Sequence, residues 1–270
     1  MSLRLERYDD VVRLRLWNRA SRMVGLDVSA YVVRGVMIDT GFPRVSRELL
    51  AAARSVGVRG AIVTHWHEDH AGNTSVLLAA GVPVAMREDT ATTLQRRPPI
   101  RLYRRVVWGR PPALTRAPAS FDAGELEAVH TPGHSSDHQV VWDPTTHTLF
   151  SGDLWLGIRA RVLHASEDPY EIIESLRRVL ALEPARMFDA HRGLIERPVA
   201  ALRAKIDWLG ETLATIEGRI RRGDTDRRIV AEVLGGEEVA AVLSRGEYSR
   251  ANMVGAVRAR LSRLTGSAAG

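Results

Sequence analysis

The hexapeptide at residues 65–70, His-Trp-His-Glu-Asp-His, has the composition of a metal-binding loop and contains three of the nine histidines. Neutral imidazole is the commonest metal ligand in proteins, and Asp69 adds a harder oxygen ligand. His65 and His67 follow a short apolar run and, being two residues apart, are expected on one side of an ending strand. Asp69 and His70 then fall on a turn into a helix. One loop can therefore offer ligands to two neighbouring ions; the alternative is a solvated polar loop.

Three further apolar runs end in residues that would complete such a site. These residues are His134 after the run 126–130, Asp153 after the run 148–150, and His191 after the run 185–188. A site assembled from several strand ends is held rigidly by its scaffold. Taken singly, each histidine is more typical of a structural or surface position. Taken with the hexapeptide, the three residues favour a metal centre.

These motifs resemble those of the metallo-β-lactamase superfamily. The matching segments are THWHEDHAGN at 64–73, TPGH at 131–134, SGD at 151–153, DAHRG at 189–193, and the early turn IDTG at 38–41. The resemblance covers about residues 25–195 and implies an α/β fold, the four-layer αββα sandwich. It also implies a first metal on His65, His67 and His134, a second on Asp69, His70 and His191, a bridging Asp153, and an Asp39 that orients a ligand.

The resemblance also narrows the chemistry. True β-lactamases place Cys or Ser where this chain has Asp153, whereas glyoxalase II-like thioesterases, lactonases and phosphodiesterases keep aspartate. The chain has no cysteine and no GxSxG nucleophile motif. We therefore expect two divalent metal ions, Zn²⁺ by default with Fe or Mn as alternatives, that activate a bridging water. Asp69 is the predicted catalytic proton carrier, and the bond attacked is a thioester, lactone or phosphoester of a small, anionic molecule.

Composition agrees with an enzyme outside the membrane. Of the 270 residues, 45% are hydrophobic, enough for a sizeable core. No apolar stretch approaches the 18 or so residues that span a bilayer, and the N-terminus lacks the continuous apolar region of a signal peptide. The sequence therefore favours a cytoplasmic protein with a small-molecule substrate and no membrane partner, and a homodimer remains open.

The net charge of +6 raises an alternative function, a nuclease or phosphodiesterase acting on RNA or DNA. All basic residues except Lys205 are arginine, which is also typical of a biased coding composition. Segment 96–116 nevertheless contains seven arginines and no acidic residue: Arg96, Arg97, Arg101, Arg104, Arg105, Arg110 and Arg116. We interpret it as a lid or mouth element that favours anionic substrates. A solvated surface loop and a dimer contact are the alternatives.

Strands and helices alternate over most of the chain. Strands are predicted at 29–38, 61–64, 82–86, 126–130, 138–143, 148–151 and 185–191, and helices at 45–56, 72–80 and 169–182. After Pro198 the pattern becomes helical, with helices at 199–222, 225–234, 237–243 and 249–264 and a tail at 266–270 that is expected to fray. The predicted division is a hydrolase domain at 1–198 and a helical region at 199–270. That region would form a wall of the substrate pocket, a winged-helix-like module, a dimer surface, or a cover for the sandwich.

Three residues outside the ligand set are candidates for substrate contact. Trp66 lies between two predicted ligands, and Arg159 and His164 follow Asp153 along the expected rim of the site. Trp66 has a structural alternative, since it could equally pack into the core beneath the metals.

Overall fold

The structure, a computed structural model, describes residues 2–267, and the last three residues of the predicted tail lie outside the described residues. The strands are β1 (Leu3–Tyr8), β2 (Val11–Leu16), β3 (Val28–Val33), β4 (Val36–Ile38), β5 (Gly60–Ile62), β6 (Val84–Ala85), β7 (Glu127–His130), β8 (Gln139–Asp143), β9 (Thr148–Phe150), β10 (Leu163–His164), β11 (Arg186–Asp189), β12 (Gly193–Ile195) and β13 (Tyr248–Ser249). The α-helices are α1 (Arg19–Met23), α2 (Ser46–Ser55), α3 (Thr74–Ala79), α4 (Glu88–Arg96), α5 (Leu102–Val107), α6 (Pro169–Leu180), α7 (Pro198–Arg221), α8 (Asp226–Val233), α9 (Val239–Leu243) and α10 (Ala251–Ser267). A short 3-10 helix, Pro43–Val45, precedes α2.

Two sheets stack face to face and helices cover both outer faces. The first sheet has the order β1-β2-β3-β4-β5-β6, and the second has the order β12-β11-β9-β8-β7. One apolar core lies between the first sheet and helices α2 to α4, another lies between the two sheets, and a third lies between the second sheet and helices α6 to α8 and α10. The predicted αββα sandwich is therefore confirmed.

Alternation of side chains along each strand produces these layers. In β3, Ala30 and Val32 contribute to the helix-side core, while Tyr31 and Val33 contribute to the core between the sheets. Because successive side chains point to opposite faces, a strand buried on both faces needs apolar residues at every position. The continuous apolar runs in the sequence result from this burial of strands on both faces.

The predicted single strand at 29–38 is wrong, because the segment forms a hairpin of β3 and β4. Arg34 and Gly35 make the turn with φ of 48° and 76°, the left-handed conformation that two-residue hairpin turns require. An arginine rarely adopts this conformation, so Gly35 was the one turn signal in the sequence. The N-terminal hairpin of β1 and β2 was also not predicted.

The C-terminal helices share a core with the second sheet. Leu202, Leu209 and Ile216 of α7 belong to the same buried cluster as Val140 and Leu149 of the sheet. Strand β13 pairs with β10, which ties the helical region to the segment after Asp153. The four helices match their predicted positions within a few residues, whereas a domain boundary at residue 198 stays a prediction. No helix within residues 2–267 has the length and apolarity required to cross a membrane.

Candidate metal centre

The predicted ligands lie together at the sheet edge where several strands end. Strands β4 and β5 are parallel, and so are β9 and β11, so their carboxyl ends share an edge, the usual place for a site in such sheets. Six of the seven side chains are buried and the seventh, His191, is half-buried. The ligand loops follow β5 (His65, His67, Asp69 and His70), β7 (His134), β9 (Asp153) and β11 (His191).

One cluster combines three imidazoles with a carboxylate oxygen. The Nδ1 atom of His67 lies 2.9 Å from Nε2 of His65 and 3.0 Å from Nε2 of His134. Oδ2 of Asp153 is 3.4 Å from the same His134 nitrogen. All four ligand atoms lie within 4.8 Å of one another. Three nitrogens and one oxygen converging on a point form the donor set of a tetrahedral zinc site.

A second cluster lies on the other side of Asp153. Oδ1 of Asp153 is 3.2 Å from Nε2 of His70 and 3.3 Å from Nε2 of His191. Oδ2 of Asp69 lies 3.6 Å from the His191 nitrogen and 3.8 Å from the His70 nitrogen. Asp153 thus presents one carboxylate oxygen to each cluster, the arrangement a bridging ligand needs.

Unpartnered polar atoms indicate that the second cluster suits a cation, and neutral imidazoles indicate the same of the first. Within residues 2–267, the buried Nε2 of His70 and Oδ1 of Asp153 have no hydrogen-bond partner, although they lie 3.2 Å apart. A buried polar atom without a partner costs about 1–3 kcal/mol, so such atoms need a ligand. Burial lowers the pKa of His65 and of His67 well below the ordinary value, so both imidazoles are neutral and their lone pairs are free for a metal.

Asp39 contacts His70, so it lies where the sequence predicts a residue that orients a ligand. Its Oδ2 lies 2.8 Å from Nδ1 of His70, and its Oδ1 accepts a 2.8 Å hydrogen bond from the backbone N–H of Thr64. Asp39 has a φ of 61°, a left-handed conformation that non-glycine residues adopt at a cost. This backbone conformation directs the Asp39 carboxylate between Thr64, where the metal-binding loop begins, and His70.

Glu167 makes the corresponding contact with His134 and was not predicted. Its Oε1 lies 2.6 Å from Nδ1 of His134, which leaves Nε2 for the first cluster. Burial opposes protonation of His134, but the Glu167 carboxylate nevertheless raises its pKa. Gly133, at a φ of 128°, lets this loop approach α6 closely, because a Cβ there would lie 2.5 Å from the backbone nitrogen of Ile172. The Gly133 turn was visible in the sequence, but a partner 33 residues after His134 was not.

A buried ion pair secures the hexapeptide. Arg104 of α5 donates two hydrogen bonds to the Glu68 carboxylate, at 2.6 and 2.5 Å. Arg101 also has an acidic partner, since its Nε is 3.3 Å from Oε2 of Glu247. Two of the arginines predicted to receive an anionic substrate are therefore engaged with carboxylates of the protein itself. Arg104 acts by holding the ligand loop in place.

A cavity of about 520 Å³ opens over both clusters. This volume is in the range of small-molecule sites. Segment 96–116 contributes Tyr103, Arg104, Val107 and Trp108 to its wall, as a mouth element should. The C-terminal region contributes Glu238, Ala240, Leu243, Ser244 and Tyr248, and a third wall is the loop 24–27 before β3. Helix α9 and Tyr248 therefore form a wall of the cavity, whereas α7, α8 and α10 cover the second sheet.

The predicted substrate contacts lie away from the cavity or have partners of their own. Trp66 lines a separate small pocket with Leu94 and Pro98, where the Arg104 guanidinium lies 5.7 Å from its ring centre. Arg159 is exposed on the loop after Asp153 and is not part of the cavity lining. His164 lies 3.1 Å from a Glu247 carboxylate oxygen, and its ring centre is 6.3 Å from that of His67.

Two other polar side chains, Arg192 and Tyr248, line the cavity. Arg192 follows the ligand His191, lines the cavity, and donates through Nε to the carbonyl oxygen of Leu156 at 3.0 Å. In the described chain it forms no ion pair with a carboxylate, so its terminal nitrogens are available. Tyr248 of β13 also lines the cavity, and its hydrogen bonds within residues 2–267 are made by its backbone, which leaves the phenol for a ligand.

The model of the metallo-beta-lactamase superfamily matches residues 23–191. A "Beta-lactamase-like protein 2 homolog" of Drosophila melanogaster is 27% identical over 70% of the chain and 69% of its own length. An "Atrochrysone carboxyl ACP thioesterase" of Passalora fulva is 25% identical over 68% of the chain, but over only 53% of its own length. A metallo-beta-lactamase family protein from Thermus thermophilus has a similar fold, with a TM-score of 0.68 and 17% identity over 96% of this chain and 95% of that one. Together with the matching ligand geometry, these similarities show that the chain belongs to the metallo-β-lactamase superfamily.

Proposed function

We propose that the protein is a dinuclear metal-dependent hydrolase of ester-type bonds, with thioesters as the leading substrate class. The observation that carries the proposal is Asp153, which directs one carboxylate oxygen to each of two buried clusters. Two bound divalent cations would lower the pKa of a shared water and polarise the scissile carbonyl. Five imidazoles and two carboxylates without thiolate suit zinc, and also iron or manganese.

The protein's own residues would position and protonate the reacting groups. Asp69 lines the cavity at the edge of the second cluster, so its carboxylate can accept the proton of the attacking water and return it to the leaving group. Glu167 and Asp39 hold two ligand imidazoles in fixed orientations. The Tyr248 phenol, which lines the cavity, would donate a hydrogen bond to the substrate.

The preference for thioesters rests on named relatives and not on Asp153, because the resembling thioesterase, lactonase and phosphodiesterase branches all have aspartate at that position. Relatives from Passalora fulva and Paecilomyces divaricatus are named as acyl carrier protein thioesterases, although this chain matches only 53% and 56% of their length. Lactones and phosphoesters remain in the proposed substrate range because the same centre can attack them.

An anionic group on the substrate would pair with Arg192. Arg104, the other guanidinium in the cavity wall, is already paired with Glu68. Arg192 lies next to the metal ligand His191 and offers its terminal nitrogens for bidentate recognition of a carboxylate or phosphate. In this proposal the substrate's anionic group therefore binds Arg192, and not the arginines of segment 96–116 as the sequence predicted.

The alternative, a nuclease, loses part of its support. Its motivation was the arginine-rich segment, yet Arg101 and Arg104 are paired with Glu247 and Glu68. Steeply salt-dependent binding of RNA or DNA would restore this alternative. Residence in the cytoplasm and a homodimer likewise stay predictions.

The test is a hydrolysis screen on metal-loaded protein, accompanied by elemental analysis. We expect about two metal ions per chain and turnover of thioesters, with lactones and phosphoesters as comparison substrates. Absence of turnover with every carboxylic ester and thioester would refute the proposal, and turnover of phosphodiesters alone would replace it by the alternative.

A further inference from the structure

Apolar side chains that belong to no core surround the mouth of the cavity. Val24 and Leu26, in the loop before β3, are 51% and 43% exposed, and Leu243 of α9 is 65% exposed. All three line the cavity that contains the metal ligands. Within residues 2–267 none of them belongs to the three buried clusters. In the absence of a ligand, these exposed side chains therefore contribute nothing to the stability of the folded chain.

The two sides of this mouth come from distant parts of the chain. One side is the loop after α1 and the other is α9, far along the sequence in the C-terminal region. Helix α9 has no buried residue, yet both of its ends are held. Glu237 before it accepts hydrogen bonds from Ser249 Oγ and the backbone N–H of Ala251, both at 2.7 Å, and Ser244 after it bonds to the backbone of Tyr248. An exposed apolar helix anchored at both ends is suited to contact a ligand.

The spacing within α9 separates a cavity face from an outer face. Ala240 and Leu243 are three residues apart, so they lie on the same side of the helix, and both line the cavity. Val239 and Val242 are also three apart and are 73% and 78% exposed, but they are not part of the lining. The helix thus supplies its own control positions, equally apolar and no less exposed.

We propose that this mouth is a subsite for an extended apolar acyl chain. The subsite is formed by Val24, Leu26, Ala240 and Leu243 and is called here the acyl mouth. The inference rests on the proposed ester hydrolysis, and it identifies the substrate as an amphipathic acyl ester whose carbonyl lies at the metal clusters and whose chain runs outwards. Contiguous apolar surface at the entrance of a polar site is typical of a ligand-binding groove. The cavity joins the acyl mouth directly to Asp69 and Asp153, which is why the occupant is the substrate's own chain.

The expected effect follows from the transfer of methylene groups out of water. Each methylene that becomes buried should increase affinity by about fourfold. If the acyl mouth covers two of the four extra methylenes of an octanoyl chain relative to a butyryl chain, the gain is about fifteenfold. A site that held only the ester group would show no such gradient.

Two measurements on zinc-loaded protein test the inference. The first is calorimetric binding of acetate, butyrate and octanoate, and the second is kcat/KM for the N-acetylcysteamine thioesters of the same acids. In both series we expect a steep rise with chain length for the unaltered protein. Leu243→Ser and Leu26→Ser should each lose about fivefold or more for the octanoyl ligand and less than twofold for the acetyl ligand, whereas Val242→Ser should behave as the unaltered protein does.

The outcomes separate the inference from the proposed function. A binding gradient without thioester turnover supports the acyl mouth and refutes thioesters as the substrate class. Thioester turnover without any gradient supports the proposed function and overturns the acyl mouth. Equal losses in Leu243→Ser and Val242→Ser would overturn the subsite. A shift of sedimentation in both variants would also overturn it and identify the face as a contact between two copies of the chain. Because the substituted side chains are exposed, unchanged thermal melting is expected for all variants.

Discussion

The carboxylates behind the ligands offer a sharp test of the two-cluster arrangement. Among the seven ligands, Glu167 contacts His134 of the first cluster, and Asp39, which also bonds to Thr64, contacts His70 of the second. Glu167→Gln keeps the size of the side chain but removes the charge that fixes the proton on Nδ1 of His134. Asp39→Asn makes the matching change behind His70. Each substitution should therefore weaken one metal site and leave the other nearly unchanged.

The magnitude follows from the geometry of these contacts. The Glu167 oxygen is 2.6 Å from the His134 nitrogen and both side chains are almost fully buried, so water cannot replace the lost interaction. Loss of such an outer partner typically lowers metal affinity by about 10- to 100-fold, or about 1.4 to 2.7 kcal/mol. We expect this loss at the first site in Glu167→Gln and at the second site in Asp39→Asn.

Competition with a chromophoric chelator measures the two stepwise zinc dissociation constants. Glu171→Gln is the matched control, because Glu171 is exposed in the first turn of α6, four residues from Glu167. The double variant should weaken both sites additively if the clusters are distinct. Equal weakening of both constants in each single variant would refute the assignment of one carboxylate to each site, and unchanged constants in Glu167→Gln would refute its orienting role.

Three further predictions concern other parts of the site. Asp153→Ala should reduce both the bound metal count and the turnover, as measured by elemental analysis and steady-state kinetics; two retained metals with full activity would contradict the bridging role. Arg192→Ala should raise KM by about fivefold for anionic thioesters but not for neutral ones, the upper limit for an exposed ion pair, and Arg159→Ala, altered outside the cavity, should change neither. Burial lowers the pKa of Lys205 to about 8 from an unfolded value of 10.5, so the unfolded chain binds more protons between these values. In the metal-free protein, the difference in free energy of unfolding between the unaltered chain and Lys205→Met should then grow by about 3 kcal/mol from pH 8 to 10.5, and a difference that stays constant over this range would refute the lowered pKa of Lys205.

The ligand residues were predictable because each lies in a short motif at the end of a strand. Local spacing placed His65 and His67 together, and the resemblance supplied their partners from three other loops. The β3–β4 hairpin escaped prediction because its turn places Arg34 in a left-handed conformation. Glu167 escaped because nothing local connects it with His134; their contact exists only after α6 packs against the Gly133 turn.

The walls of the cavity were harder to predict for a physical reason that the arginines illustrate. The sequence gives the sign of a side chain's charge but not its ionic partner in the fold. That partner decides whether the side chain is available to bind a ligand. Arg104 lies in the richest basic segment, yet Glu68 occupies its guanidinium and converts it into an anchor for the metal loop. Arg192 stands alone between a ligand and a glycine, and it lines the cavity with its terminal nitrogens free of an ion pair in the described chain. In our proposal, substrate selectivity depends on which charges and apolar side chains remain unpaired after folding, and these are Arg192 and the side chains of the acyl mouth.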